Sequence, residues 1–430
     1  MQEYIALIIF AFVYVLIVGR IRFKIPIWVA MLIGASLMIG FQIITPQSAI
    51  KSIQLDVIMF LFGMFSIVSA LDRSGVLHVV AVKMISKAKT PNALLLIFVV
   101  GMGLLSAFLV NDTIALMGIP LVIYISKQIG LRPVVLLLSL AFGVTVGSTM
   151  TPIGNPQNLL IAIQSGVPLP FTNFLKFLAI PTLINLFLTF YILKIYFKKD
   201  LSQLLNYQSN AVLQNIKIEN PRLAKISVII LLSTIMGFFI SEILHFLHLF
   251  DLSLSIVALI GAAVLYAVSK ERREIMQRVD YSILIFFAAM FVVTSALWSS
   301  GTVSLFMKYL PIPNPNDVFQ SSAAISLYSL TFGQILSNVP FVALYNFIMI
   351  GNGFTNVHVI QWMMLAAAST IAGNLTILGA ASSIIIIQAA EAKGVKAFTF
   401  IEFFKIGIVI TLVNLAVYYF FVVVLGSFFI

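Results

Sequence analysis

The sequence predicts an all-α membrane protein with about ten transmembrane helices and two re-entrant helical hairpins, arranged as two inverted repeats of five spans. Three observations predict it. Of 430 residues, 61% are hydrophobic and only 9% charged, where a soluble domain carries about 25% charged residues. Apolar runs long enough to cross a bilayer alternate with short basic loops along the whole chain. Polar interruptions fall inside apolar segments, first at Asn111-Asp112-Thr113 and then at Thr151–Asn158, and both have counterparts in the second half of the chain.

The composition also excludes other classes. There is no cysteine, hence no disulfide framework, thiolate metal site or cysteine nucleophile. The net charge of +11 sits in short loops between apolar segments, as the positive-inside rule expects, and does not point to nucleic acid. Basic residues follow the first apolar run instead of preceding it, so no cleavable signal peptide is expected. No phosphate-binding loop, no Ser/His/Asp arrangement and no metal-like histidine spacing is present. The chain is therefore not expected to be an enzyme or an ATP-driven pump. No cofactor is expected, apart from Na⁺ as a candidate coupling ion.

Taken in order, span 1 is Tyr4–Val18, followed by Arg20, Arg22 and Lys24, and span 2 is Ile25–Ile43. Span 3 runs from Asp56 to Leu71 and leads into an interfacial helix that ends near Lys89. The first hairpin is Pro91–Ser126. Its two apolar runs, of roughly ten to fifteen residues each, are too short for two full spans and meet at the Asn111-Asp112-Thr113 tip. Span 4, Pro133–Ser165, is interrupted by two prolines and a glycine within Thr151–Asn158, and such a run cannot keep a continuous helical hydrogen-bond ladder. Non-helical backbone at membrane depth is tolerated only where it lines a cavity or is buried in protein. Span 5 is Phe171–Phe197, and a polar linker, Lys198–Pro221, follows. Spans 6, 7 and 8 are Leu223–Leu247, Leu252–Val268 and Tyr281–Trp298. The second hairpin is Val318–Gly351, span 9 is the broken Val357–Glu391, and span 10 is Phe398–Phe429.

Charge sets the orientation. With the Arg20–Lys24 loop inside, Lys83–Lys89, Lys127/Arg132, Lys194–Lys225, Lys270–Arg278 and Lys393/Lys396 also fall inside, and the opposite side keeps only Lys51, Lys176 and Lys308. Both termini are then expected outside. The first hairpin opens from the cytoplasm and the second from the exterior. The expected location is the cell membrane.

The two halves match in order. Ser69-Ala70-Leu71 answers Ser295-Ala296-Leu297, Asn111 answers Asn338, Gly147–Gly154 (GSTMTPIG) answers Ala372–Gly379 (AGNLTILG), and Thr182–Leu186 (TLINL) answers Thr411–Leu415 (TLVNL). Residues 1–197 form repeat 1, 198–222 a cytoplasmic linker, and 223–430 repeat 2. An odd number of spans per repeat turns the second copy upside down. Inverted repeats with broken helices at corresponding positions mark secondary transporters, with the site near the midplane.

At the hairpin tips and at the GNPQN and GNLTILG breaks the chain resembles the ion transporter superfamily. That superfamily groups arsenite permeases, sodium–proton antiporters, citrate-type permeases and divalent anion–sodium symporters. The resemblance runs from Ile5 to Leu425. It implies a homodimer, a scaffold domain with a mobile transport domain, and elevator-like alternating access. In the symporter branch each tip reads Ser-Asn-Thr and binds sodium and carboxylate. Here the tips read Val110-Asn111-Asp112 and Ser337-Asn338-Val339, and Asp112 leans toward the arsenite-permease and antiporter branches.

Each candidate site residue has a chemical reason. Asn111 and Asn338 offer an acceptor and two donors on a short arm. Either could simply cap a helix, but recurrence at related positions favours a ligand role. Thr113 and Ser337 could add hydroxyl oxygens to a cation shell or bond their own backbone. A carboxylate at membrane depth is costly unless paired, so Asp112 is read as a Na⁺ ligand or the carrier of a coupling proton, with an N-cap as the alternative. Asn111, Asp112 and Asn338 are the candidate Na⁺ ligands. Thr151, Asn155, Asn158, Asn374 and Thr376 supply oxygens at the breaks, and Ser382 and Ser383 add hydroxyls where a half-helix N-terminus would favour an anion. Asp56 and Asp280 are read as N-caps at the membrane surface. The function expected is Na⁺- or H⁺-coupled secondary transport of a small anion or oxyanion, citrate-like or arsenite-like. The alternatives are a Na⁺/H⁺ antiporter and, behind it, an uncoupled channel.

Overall fold

The computed structural model describes residues 2–19, 25–202, 218–250, 252–303 and 313–428. The Arg20–Lys24 loop, residues 203–217 of the linker and Lys308 lie outside the described residues. Among those described, the chain is all-helical. The first half holds α1 (Gln2–Val18), α2 (Ile27–Gly40), α3 (Pro46–Ser52), α4 (Leu55–Ser74), α5 (Val76–Ile85), α6 (Pro91–Leu109), α7 (Asn111–Ile129), α8 (Pro133–Gly147), α9 (Pro156–Gln164), α10 (Pro170–Tyr196) and α11 (Lys198–Ser202). The second half holds α12 (Pro221–Phe246), α13 (Leu254–Val268), α14 (Arg272–Gln277), α15 (Tyr281–Ser299), α16 (Val318–Leu336), α17 (Asn338–Gly351), α18 (Val359–Ala372), α19 (Ala381–Ala392) and α20 (Phe400–Tyr418).

The helix starts follow from sequence. Pro46, Pro91, Pro133, Pro156, Pro170 and Pro221 each stand in the first turn of a helix, where their missing N–H would be unbonded anyway and their fixed φ suits the helix. Thr90, Asn220, Ser253 and Asp317 accept a backbone N–H as side-chain caps of α6, α12, α13 and α16. Asp280 caps α15, as expected. Asp56 does not cap α4: it lies inside the first turn and accepts the Ser255 hydroxyl at 2.6 Å.

Among the described residues, eight helices are long and apolar enough to cross a membrane, and six shorter apolar helices of 10–17 residues accompany them. The arms of the first hairpin are longer than the sequence suggested. Each is a 19-residue helix, about 28 Å at 1.5 Å per residue. The Thr90 cap starts the first arm early, and the second continues through Pro120 to Ile129. Both breaks are present. Helix ends at Gly147 and resumes at Pro156 after one 3₁₀ turn, and it ends again at Ala372 and resumes at Ala381.

The helices pack as two sets. One set is α1, α2, α4, α12, α13 and α15, in which α4 lies on α13, α2 on α15, α1 on α2 and α12 on α13. The other set is the hairpins, the broken segments, α10 and α20, in which α6 lies on α8, α16 on α18 and α10 on α20. The halves of the chain grip each other reciprocally: α19 packs on α7, and α9 packs on α17. At one end of the first set, Arg73 bonds Glu274 (2.5 Å) and Glu219 (3.2 Å), and Arg278 bonds Asp72 (2.7 Å).

Helices α6 and α8 approach each other closely. Gly143 and Gly147 are four apart on α8, the small-residue spacing that lets membrane helices approach. A Cβ on Gly147 would overlap the Gly103 backbone, and the Ser106 hydroxyl donates across the same junction to the Val144 carbonyl at 2.8 Å. Gly147→Ala should therefore force α6 from α8 and lower stability by about 1–3 kcal/mol. Gly40→Ala, where a Cβ meets nothing within 4 Å, should stay within about 0.5 kcal/mol of wild type. Melting temperatures of the two purified variants in detergent check this pair.

Candidate functional site

Each hairpin turns at a single residue. Val110 (φ 65°, ψ 125°) joins α6 to α7, and Ser337 (φ 67°, ψ 155°) joins α16 to α17. Positive φ with extended ψ is nearly confined to glycine and costs a side-chain-bearing residue about 1–3 kcal/mol. Tertiary bonds hold both turns. The Asn111 N–H donates to the Gly154 carbonyl at 2.8 Å, and the Asn338 N–H donates to the Gly379 carbonyl at 3.1 Å. Each tip is thus stitched to the break in its own half of the chain. Both breaks need glycine there: a Cβ on Gly154 would overlap the Ser148 backbone, and one on Gly379 would come within 2.9 Å of the Gln334 Oε1.

The first break is closed on itself. The Thr151 hydroxyl donates to the Ala107 carbonyl of the hairpin. Asn155 caps α9 by accepting the Asn158 N–H at 2.9 Å, and its amide donates to the Ser148 carbonyl (3.2 Å), the Ser148 hydroxyl (3.1 Å) and the Thr370 hydroxyl (3.2 Å). The Asn158 amide donates to the carbonyls of Ser148, Thr149 and Thr151 at 3.1–3.3 Å, and its oxygen accepts from Thr370 at 3.2 Å. These two asparagines replace the lost helical bonds. Thr370, which ties the first break to α18, was not singled out from the sequence, where it is one more residue of an apolar run.

The second break is held less completely. The Thr376 hydroxyl donates to the Gln334 oxygen at 2.8 Å, and the Gln334 amide donates to the Ala372 carbonyl at 2.8 Å. Gln334 also went unnoticed in the sequence. The Ser337 hydroxyl reaches only the Gly379 carbonyl, at 3.4 Å. Buried polar atoms without a partner collect around this break and the tips: the Asn111 and Asn338 oxygens, both ends of the Asn374 amide, and the Ser382 and Ser383 hydroxyls. Ser382 and Ser383 open α19, whose N-terminus has no side-chain cap, so its first N–H groups also lack helical partners. Buried polar groups normally find partners; a cluster that does not is suited to a polar ligand.

Asp112 and Ser337 line one cavity of about 640 Å³ together with Pro156, Val339, Pro340, Ile377 and Leu378. Both tips and both breaks therefore face the same space. The opposite wall carries Trp28, Asp280, Ser282, Phe286 and Phe287, and Gln388 and Glu391 also line it. No lysine or arginine is among its described lining residues. Asp112 makes no hydrogen bond or ion pair with any described residue, and α7 has no side-chain cap, so Asp112 is not serving as one. Thr113, next to it, is half-buried. No group of three or more His, Asp or Glu stands ready for a metal ion among the described residues.

Residues 5–366 match the family model described as citrate transporter. A 46 kDa membrane protein of Mycobacterium leprae is 26% identical over 96% of both chains. The silicon efflux transporter LSI3 of Oryza sativa subsp. japonica is 26% identical over 90% of both. Among solved structures, the Alcanivorax borkumensis YdaH transporter superposes with a TM-score of 0.54 at 14% identity, covering 89% of this chain and 88% of that one, a likeness of fold. With a match across most of its length, two broken membrane helices and paired hairpin tips around one cavity, this chain belongs to the citrate transporter family.

Proposed function

We propose that the protein is a secondary active transporter that carries a small inorganic oxyanion, or its uncharged parent acid, across the cell membrane coupled to Na⁺ or H⁺. The observation that carries this reading is the single cavity shared by both tips and both breaks, with Asp112 unpaired in it and no basic side chain among the described residues around it.

Electrostatics narrows the substrate. Asp112, Asp280 and Glu391 all line the cavity. At an effective dielectric near 20, a trianion about 6 Å from one carboxylate is repelled by roughly 8 kcal/mol, whereas a neutral hydroxylated acid meets no such term. Behind the cavity lining, the unpartnered Asn374 amide and Ser382 and Ser383 hydroxyls can donate and accept, and the unpartnered Asn338 oxygen can accept, which suits the hydroxyl groups of an arsenite- or silicate-like acid. A citrate-like substrate would need co-bound cations, for which Asn111, Asp112 and Asn338 supply oxygen ligands. Na⁺/H⁺ antiport is the second reading, favoured by the same unpaired Asp112.

The reciprocal packing of α19 on α7 and α9 on α17 supports the two inverted repeats expected from the sequence, an arrangement found in many secondary transporters. In this reading α1, α2, α4, α12, α13 and α15 form the scaffold of a homodimer, and the hairpins, broken segments, α10 and α20 move as the carrier. Pro26, Asp280 and Glu391 line the cavity at helix ends that the basic loops assign to the cytoplasm, so in this reading that end of the cavity faces the cytoplasm and both termini lie outside.

Reconstituted in proteoliposomes, the protein should show saturable uptake driven by an imposed Na⁺ or H⁺ gradient. Asp112→Asn should fold and insert normally yet lose at least tenfold in gradient-driven rate; full coupled transport by that variant would defeat the assignment. In a thermal-shift screen, arsenite or silicate at about a hundred times its Kd should stabilise the purified protein by roughly 2.7 kcal/mol, and citrate should do so only with Na⁺ present. Stabilisation by citrate in Na⁺-free buffer would reverse the order of substrates.

A further inference from the structure

The repeated sequences TLINL (Thr182–Leu186) and TLVNL (Thr411–Leu415) lie midway along α10 and α20, two helices that pack on each other. Their polar side chains are sealed in the apolar interior: Thr182, Asn185, Thr411 and Asn414, with Thr189 and Tyr418 one turn on, are each at most 1% exposed. Thr182 and Tyr418 share a hydroxyl–hydroxyl hydrogen bond of 2.6 Å. The Asn185 amide donates to the Asn414 carbonyl at 3.1 Å, and the Asn414 amide donates to the Thr189 hydroxyl at 3.4 Å. The 3₁₀ turn that follows α8 also packs against α10. Its fully buried Thr149 stands with the Asn185 side chain beside the Tyr418 hydroxyl.

This cluster has more acceptor oxygens than donors to fill them. The Thr149 and Thr411 hydroxyl oxygens and the Asn185 and Asn414 amide oxygens have no hydrogen-bond partner among the described residues. A carbonyl can only accept, so the bond from Asn185 to the Asn414 carbonyl fixes the Asn185 oxygen as the free end. Every unpartnered atom here is an oxygen, whereas the second break also leaves an amide nitrogen free, that of Asn374. No charged residue lies between Lys176 and Lys194 on α10 or after Lys405 on α20, so neither helix offers a basic side chain at this depth. The sign of the missing partner follows from α8, which ends at this turn. A helix C-terminus presents unbonded carbonyls and the negative end of the helix dipole, and half-helix C-terminal ends are where membrane carriers coordinate Na⁺. A divalent ion, with no carboxylate to balance it, would cost far more to desolvate.

We propose that Thr149, Thr182, Asn185 and Tyr418 form a buried site for a dehydrated Na⁺, separate from the hairpin tips. None of the four is a tip residue, and none lines the cavity. The ion joins α10, α20 and the first break, all of which belong to one helix set, so the site needs no contact between the two sets. It stands on this geometry and does not rest on the transport reading above.

The test reads Na⁺-dependent stability of the purified protein in detergent. The Asp112→Asn variant, which lacks the tip acid, is melted across a Na⁺ series with choline holding the ionic strength constant. Saturating Na⁺ should raise its melting temperature by about 3 °C over choline. No Na⁺-specific rise would overturn the site and leave water as the occupant. Adding Tyr418→Phe or Thr149→Val, each of which removes one oxygen, should abolish at least half of that rise, and Thr149→Ser, which keeps the oxygen, should retain it. A merely structural hydroxyl would lower the melting temperature equally at every Na⁺ concentration, and that outcome would also overturn the site. Should neither double variant fold, equilibrium dialysis of radioactive Na⁺ against Asp112→Asn decides: saturable binding is expected, and its absence overturns the proposal. Failure of gradient-driven uptake would defeat the transport reading without touching this result.

Discussion

A helix interrupted inside a membrane leaves N–H and C=O groups with no water to take them, and this structure depends on how they are satisfied. The answer is a pair of backbone bonds, Asn111 N–H to Gly154 and Asn338 N–H to Gly379. Each bond holds a hairpin tip against a break, and each lets a non-glycine residue keep a positive φ that it would otherwise leave. Tip and break are one unit: the strained turn fixes where the asparagine points, and the glycine allows the backbone to come close enough.

The two units are built alike but finished differently. In the first, Asn155, Asn158 and Thr370 take up the freed carbonyls, and the break is closed. In the second, Gln334 and Thr376 do part of that work, and Asn374, Ser382 and Ser383 keep unpartnered atoms. An unpartnered buried amide or hydroxyl costs about 1–3 kcal/mol until something bonds it. The second break therefore keeps several unsatisfied polar atoms, whereas the first is held by its own asparagines, with Asp112 at its tip.

Eight described helix starts are capped by a side chain of the adjacent sequence, Thr45, Thr90, Asn155, Asn220, Ser253, Asp280, Asp317 or Thr399. At α10, one of the starts without a local cap, a distant acid, Glu242 of α12, serves. A local cap adds stability to one helix, whereas a borrowed one also joins two.

The sequence by itself determined the membrane class, the two tips and the two breaks, because apolar runs, prolines and glycines act through the local backbone. It also placed Asp112 at a tip. It misjudged the length of the first hairpin's arms, since capping at Thr90 and the helix running through Pro120 extend them beyond the apolar pattern. It treated Asp56 and Asp280 alike, and only packing separated them by bringing Ser255 to Asp56. Gln334, Thr370 and Glu242 were illegible because their partners lie 42, 212 and 71 residues away. Whether a polar side chain closes a break, lines a cavity or holds two helix sets together depends on what folding brings beside it, and that was decided by tertiary structure alone.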